Sequence, residues 1–232
     1  MGQDLVARCM DAIEGISVGL ATSGTTVGET PGLQALQACL ADAQQSEQLA
    51  NNLSAYLTQL LRWQRTQRLV GWSTPVDILR RGIVPSIIGA ALIEPKATVT
   101  DIGSGAGLPG LILAMVPYLG LVTMVEARRK RASFLASVRR ELGFVTQCAV
   151  IHGRYGVEPM ELDQGSVLTA RAFAPLDQVL SLGNELGSSS IIVWGGKHEY
   201  RLGQVLGDRF QLMGIVETTE GKNMRWVRID RG

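Results

Sequence analysis

The chain has 232 residues, 46% of them hydrophobic and 19% charged, with a formal net charge of +1. That is enough for one sizeable core with an appendage and describes a globular chain, not a low-complexity or fibrous one. The longest apolar stretch, 83–93, is interrupted by Pro85, Ser86 and Gly89 and is too short to cross a bilayer, and no basic segment followed by an apolar run marks the N-terminus. The charge is unevenly placed: residues 1–60 carry one Arg against six acids, residues 61–140 twelve Lys or Arg against four, and residues 141–232 nine against eleven. A basic middle on a near-neutral chain is a footprint for a polyanion.

Residues 15–32 are rich in Gly, Ser and Thr and read as a flexible loop. From about Pro31 to Arg68 the pattern is helical, with Leu49, Leu53, Leu57 and Leu60 in one stripe that Tyr56 and Leu61 widen. Trp72 to Pro75 breaks it, and a second short helix is expected over 76–93. Strands are expected at 98–102, 121–126, 145–151, 167–170 and 191–194. Helices are expected from the Gly-rich segment to Val116, over 128–142, 176–186 and 199–206, and a final hairpin over 209–217 and 223–229. This alternation predicts an α/β fold: a doubly wound, mostly parallel sheet with helices on both faces, preceded by a helical extension. The expected division is an extension over 1–45, partly flexible, a helical subdomain over 46–95, and the main domain over 96–232. Ligands of such sheets bind at the carboxyl ends of the strands, where strand order reverses.

The first strand of that domain ends in Asp101 and runs into Gly103, Ser104, Gly105 and Gly107. Glycines there let a ligand approach the backbone. Gly105, Gly107 and Gly110 also match the dinucleotide fingerprint formally. A carboxylate at the strand end, however, repels a pyrophosphate and attracts the ammonium of a methionine moiety. Glu126 ends the next strand, where a carboxylate can take both hydroxyls of a ribose. The three cysteines, Cys9, Cys39 and Cys148, form no CxxC pair and fit free thiols in a reducing cytoplasm. Neither His152 nor His198 has partners at ligand spacing, so no metal is expected.

Four segments together resemble a known family. They are Asp101 to Gly110 with its Gly-Leu-Pro-Gly ending; Lys130 and Arg131 followed by Phe134 and Leu135; Glu141, Leu142 and Gly143; and Arg171 through Leu176. They are similar to the RsmG (GidB) family, which methylates guanine N7 in bacterial small-subunit rRNA, over about Leu49 to Lys197. The resemblance implies a class I S-adenosylmethionine methyltransferase fold, S-adenosylmethionine as cofactor, ribosomal RNA or a ribosomal particle as partner, a cytoplasmic location and a monomer, with no membrane or metal. It implies cofactor contacts at Asp101, Gly103, Ser104, Gly105, Gly107, Glu126, Arg154, Tyr155 and Arg171, catalytic roles for Arg171 and Lys197, and RNA contacts at Arg65, Arg68, Arg131 and Lys197. The chain departs from the family at Gln64, where an Asn follows the Trp, and at Gly82 and Pro85, where a His and an Asp stand. A non-catalytic relative of the same fold that binds RNA or a partner, or a methyltransferase with a different substrate, is the alternative these departures raise.

Guanine N7 carries a free lone pair, so its methylation needs alignment and no base. The purine gains positive charge, so cations belong on phosphates and not against the ring. The helical wheel puts Arg131 with Leu135, Val138 and Leu142, and it turns Arg128, Arg129, Arg139 and Arg140 outward to solvent.

Overall fold

The computed structural model describes residues 4, 18–19, 30–196, 210–217 and 224–231. Two helices lead the continuous described segment 30–196, α1 (Pro31–Ala41) and α2 (Ala43–Gln64). The single helical stretch expected to Arg68 is thus divided, and Asp42 divides it. Its backbone is extended, its amide closes α1 onto Ala38 O, and its carboxylate accepts the Gln45 amide at 2.9 Å to start α2. The expected stripe is the buried face of α2: Leu49, Leu53, Tyr56, Leu57 and Leu60 are all at or below 2% exposure.

The second expected helix is also broken. It consists of α3 (Pro75–Ile78), a π-turn (Leu79–Ile83) and α4 (Val84–Ala90). Pro85 has no N–H to give the Arg81 carbonyl four residues back, so regular winding cannot pass through this point.

Among the described residues the sheet has eight strands: β1 (Val18–Gly19), β2 (Val99–Ile102), β3 (Val122–Glu126), β4 (Cys148–His152), β5 (Val167–Arg171), β6 (Ser190–Gly196), β7 (Phe210–Glu217) and β8 (Met224–Arg231). Their order is β1-β7-β8-β6-β5-β2-β3-β4. The five from β6 to β4 are parallel, and β8, β7 and β1 add antiparallel. The expected tail hairpin is β7–β8. Two residues of the expected loop over 15–32, Val18 and Gly19, instead pair with Val216 and Ile215 at the sheet edge. The helix expected over 199–206 lies outside the described residues.

Strand alternation feeds two cores. Val167, Ile192 and Trp194 face the larger one, with α1, α2 and α4. Leu168, Ala170, Ile191 and Val193 face the smaller one, under α7 (Leu176–Glu185). The larger core draws on residues from Leu33 to Trp194 and runs across positions 45 and 95.

Helix α5 keeps only Gly110–Leu113 before tightening into three-residue turns to Val116. Helix α6 (Arg129–Glu141) ends as expected near Gly143. The strand expected from 145 begins only at Cys148, because Arg139 claims the intervening backbone. Its Nε donates to Cys148 O at 2.5 Å and its Nη2 to Val145 O at 2.6 Å. Arg139 is therefore not the solvated residue that the wheel suggests; it holds the turn before β4. The chain switches direction between β2 and β5, where Val99 sits beside Val167. The carboxyl ends of β2, β3 and β5 converge there.

Candidate cofactor and substrate site

Asp101 is the penultimate residue of β2, at 1% exposure. Its Oδ2 accepts the Gly110 amide at 3.1 Å and its Oδ1 accepts the Thr169 hydroxyl at 3.0 Å. The carboxylate thus braces the glycine loop from beneath, joining its far end to β5. A Cβ on Gly110 would stand 2.5 Å from Oδ2, so this close seat requires glycine. The Gly110 amide is consumed by Asp101 and is not presented to an outside anion, which disfavours a dinucleotide pyrophosphate at this helix start. Burial lifts the Asp101 carboxyl to about 6, against the opposing hydrogen bonds and the positive field of Arg171.

Gly103, Gly105 and Gly107 all have positive φ. At Gly103 the reason is doubled, because an added Cβ would also stand 2.4 Å from the ring of Phe173. Ser104 is turned inward, its hydroxyl donating to Asp101 O at 2.8 Å, so its side chain serves the loop. Glu126 is 4% exposed and spans two segments. Its Oε2 accepts the Gly105 amide at 2.8 Å and its Oε1 the Arg128 amide at 2.7 Å. Each oxygen keeps acceptor capacity beyond these bonds. Arg154 and Tyr155 follow β4 after one residue, Gly153, whose amide bonds Glu126 O at 3.1 Å. Arg154 is exposed and Tyr155 half-buried.

Arg171 ends β5. Its guanidinium carbon lies 3.8 Å from the ring centre of Trp194 and 5.1 Å from that of Trp72. Nη2 donates to Arg81 O at 2.6 Å, the carbonyl that Pro85 leaves without its helical donor. Nη1 is buried with no hydrogen-bond partner among the described residues. Burial lowers the Arg171 pKa to about 10, opposed by the neighbouring Tyr56 and Asp101. The two departures from the family pattern lie in this corner: Pro85 at the freed carbonyl, and Gly82 where a Cβ would meet Leu108 at 2.9 Å and Trp72 at 3.2 Å.

Of the residues expected to contact RNA, Arg65 and Arg68 are exposed beyond the end of α2. Arg131 is half-buried in the first turn of α6, and its Nη1 lies 3.8 Å from where a Gly105 Cβ would be. It therefore faces the glycine loop. Lys197 lies outside the described residues.

Sequence reasoning missed four contributors. Tyr56, read as core, donates its hydroxyl to Ala106 O at 2.8 Å and so holds the glycine loop from α2. Gln64 accepts the Val70 amide at 3.1 Å and donates to Trp72 O, closing the loop that carries Trp72. Trp194 and Phe173 complete the surroundings of Arg171 and Gly103. The sequence placed Tyr56 in the helical stripe, marked Gln64 as a departure from the family and carried Phe173 within the Arg171–Leu176 segment, without pointing to the partner of any of them. Among the described residues no cluster of three His, Cys, Asp or Glu is arranged to hold a metal, and no helix is long and apolar enough to cross a membrane.

Residues 49–211 match the family described as rRNA small subunit methyltransferase G, GidB. A ribosomal RNA small subunit methyltransferase G from Rhodospirillum rubrum is 32% identical over 198 residues, covering 84% of this chain and 89% of that protein. One from Granulibacter bethesdensis is 38% identical over 137 residues, covering 58% and 62%. Among solved structures, a putative tRNA (m1A22) methyltransferase from Streptococcus pneumoniae superposes with a TM-score of 0.53 at 19% identity, covering 62% of this chain and 68% of its own. A SAM-dependent methyltransferase from Aquifex aeolicus gives 0.52 at 17%, covering 66% and 92%. These structural likenesses concern the fold.

Proposed function

The chain belongs to the rRNA small subunit methyltransferase G family, and from that premise we propose that it methylates N7 of a guanine in small-subunit (16S) ribosomal RNA, with S-adenosylmethionine as cofactor. The observation that carries the reading is the placement of a buried acid, a positive-φ glycine loop and a second buried acid at the switch point of a parallel sheet. These residues fit the cofactor. Glu126, with acceptor capacity left on both oxygens, would hold the ribose hydroxyls. Arg154 and Tyr155 would border the adenine end, and Gly103, Gly105 and Gly107, with Ser104 and Asp101 fixing the loop's shape, would cradle the methionine end. The bound cofactor supplies an electrophilic methyl group on a sulfonium.

What remains for the chain is alignment. N7 needs no deprotonation, so the site is not required to contain a general base. Arg171, fixed between two rings and by the Arg81 carbonyl, keeps one buried donor for an acceptor on the substrate. Arg65, Arg68 and Arg131 would grip phosphates around the exposed base, and Lys197 joins Arg171 as the second expected catalytic cation. The target must come from a loop or open strand, because the deep groove of an RNA helix hides N7. We place the protein in the cytoplasm as a monomer, which light scattering at working concentration checks.

Two experiments test the reading. Calorimetry with S-adenosylhomocysteine on Glu126→Ala should show affinity lowered roughly tenfold or more, the worth of charge-assisted hydrogen bonds; unchanged affinity would remove the carboxylate from the site. N7-methylguanine makes RNA cleavable by aniline after borohydride reduction. Small-subunit rRNA from cells lacking the gene should lose one cleavage position and regain it on complementation. An identical pattern with and without the gene would assign the chain another substrate.

A further inference from the structure

A cavity of about 450 Å³ opens between the end of α2 and the first turns of α6, lined by Trp63, Thr66, Gln67, Arg129, Lys130 and Ser133. Its volume is that of a small-ligand site. Trp63 forms an aromatic wall and is held edge-on against Phe134, ring centres 5.6 Å apart at 71°. The rim is fixed as well, because the Thr66 and Gln67 amides both return to Trp63 O at 3.0 Å. Arg129 and Lys130 are exposed, and among the described residues neither lies within ion-pair distance of a carboxylate. The same holds for Arg62, Arg65 and Arg68 on the α2 side. Acids, the residues that a helix start favours, are absent from the first turn of α6.

A fixed π face, an amide and a hydroxyl at Gln67 and Ser133, and uncompensated cations on one wall are the parts needed to hold one nucleotide. The ring stacks the base, the polar pair meets its edge, and the cations take the flanking phosphates. Arg131, one residue further on, turns to the glycine loop, so the groove adjoins the cofactor site without being part of it. We infer that this groove is a nucleotide subsite that grips single-stranded RNA beside the methyl acceptor; the inference rests on the RNA-methyltransferase reading above.

The test uses the full chain and a labelled eight-nucleotide oligouridine, which has no guanine, so binding is read apart from methylation. Fluorescence anisotropy across a salt series gives affinity and slope. Arg129→Ala/Lys130→Ala should bind at least tenfold more weakly, with a log–log salt slope shallower by about 1.4, two single-strand phosphate contacts. Arg140→Ala, an exposed cation further along α6, should bind like the parent. Trp63→Phe keeps a ring in place and should abolish most of the tryptophan quenching that the oligonucleotide causes. A double variant with parental affinity and slope, or quenching that survives Trp63→Phe, overturns the subsite. Equal binding of poly-glutamate that is lost in the double variant also overturns it, in favour of an acidic protein partner. If the oligonucleotide results hold while the parent protein methylates no ribosomal RNA, the subsite stands and the target assignment falls.

Discussion

Asp101 and Arg171 lie in one corner at the carboxyl edge of the sheet, both desolvated, and neither neutralises the other by direct contact. The acid spends its oxygens on Thr169 and Gly110, and the cation spends one donor on Arg81 O. The consequence for Asp101 is a pH dependence of unusual sign. Its folded-state carboxyl is raised from 3.8 to about 6, so the native state binds the extra proton in the window between those values. Stability from this group is full below the unfolded value and is lost as pH rises through about 6, at a cost on the order of 3 kcal/mol. Asp101→Asn keeps an oxygen for Gly110 and offers an amide to Thr169. It should match the parent near pH 4 and exceed its unfolding free energy by about 1–3 kcal/mol at pH 7. Urea unfolding at both pH values checks this, and a difference independent of pH would refute it.

At the scale of elements, α2 is more than a cover for the sheet. Its stripe is legible from sequence, since helical periodicity alone sets which leucines share a face. The Tyr56 hydroxyl is not, because its partner, Ala106 O, lies 50 residues away and meets it only once α2 crosses the glycine loop. Tyr56→Phe leaves that buried carbonyl without its donor and should lower stability by about 1–3 kcal/mol with an unchanged urea m-value. It should also weaken S-adenosylhomocysteine binding by calorimetry, as the loop loses its support. Parental stability and affinity together would show that the hydroxyl is idle. The break at Pro85 is similar in kind. Proline predicts the interruption, but that the freed carbonyl falls to a guanidinium 90 residues later depends on the placement of β5.

For the whole molecule, the basic middle is gathered from two distant segments, 62–68 and 128–131, which the packing of α2 against α6 brings beside one another. A surface of this kind binds polyanions by releasing counterions. The affinity for small-subunit rRNA should therefore fall linearly in log–log plots against salt from 50 to 200 mM. A flat response in filter binding would exclude an electrostatic grip.

Short-range rules were enough for the glycine loop with its flanking acids, the alternation of strands and helices from β2 to β6, the apolar face of α2 and the hairpin of β7 and β8. All of these rest on neighbouring residues and on periodicities of 2 and 3.6, and so they are legible in the linear chain. Where side chains of distant segments meet was settled by the tertiary structure alone. Gln64 closes the loop that carries Trp72, Arg171 is held between Trp72 and Trp194, Arg139 is withdrawn from solvent, and Asp101 acts as a brace inside the loop. The reason is that a buried polar group must find its partner in three dimensions, and which partner lies within reach depends on how strands are ordered across the sheet, not on spacing along the chain.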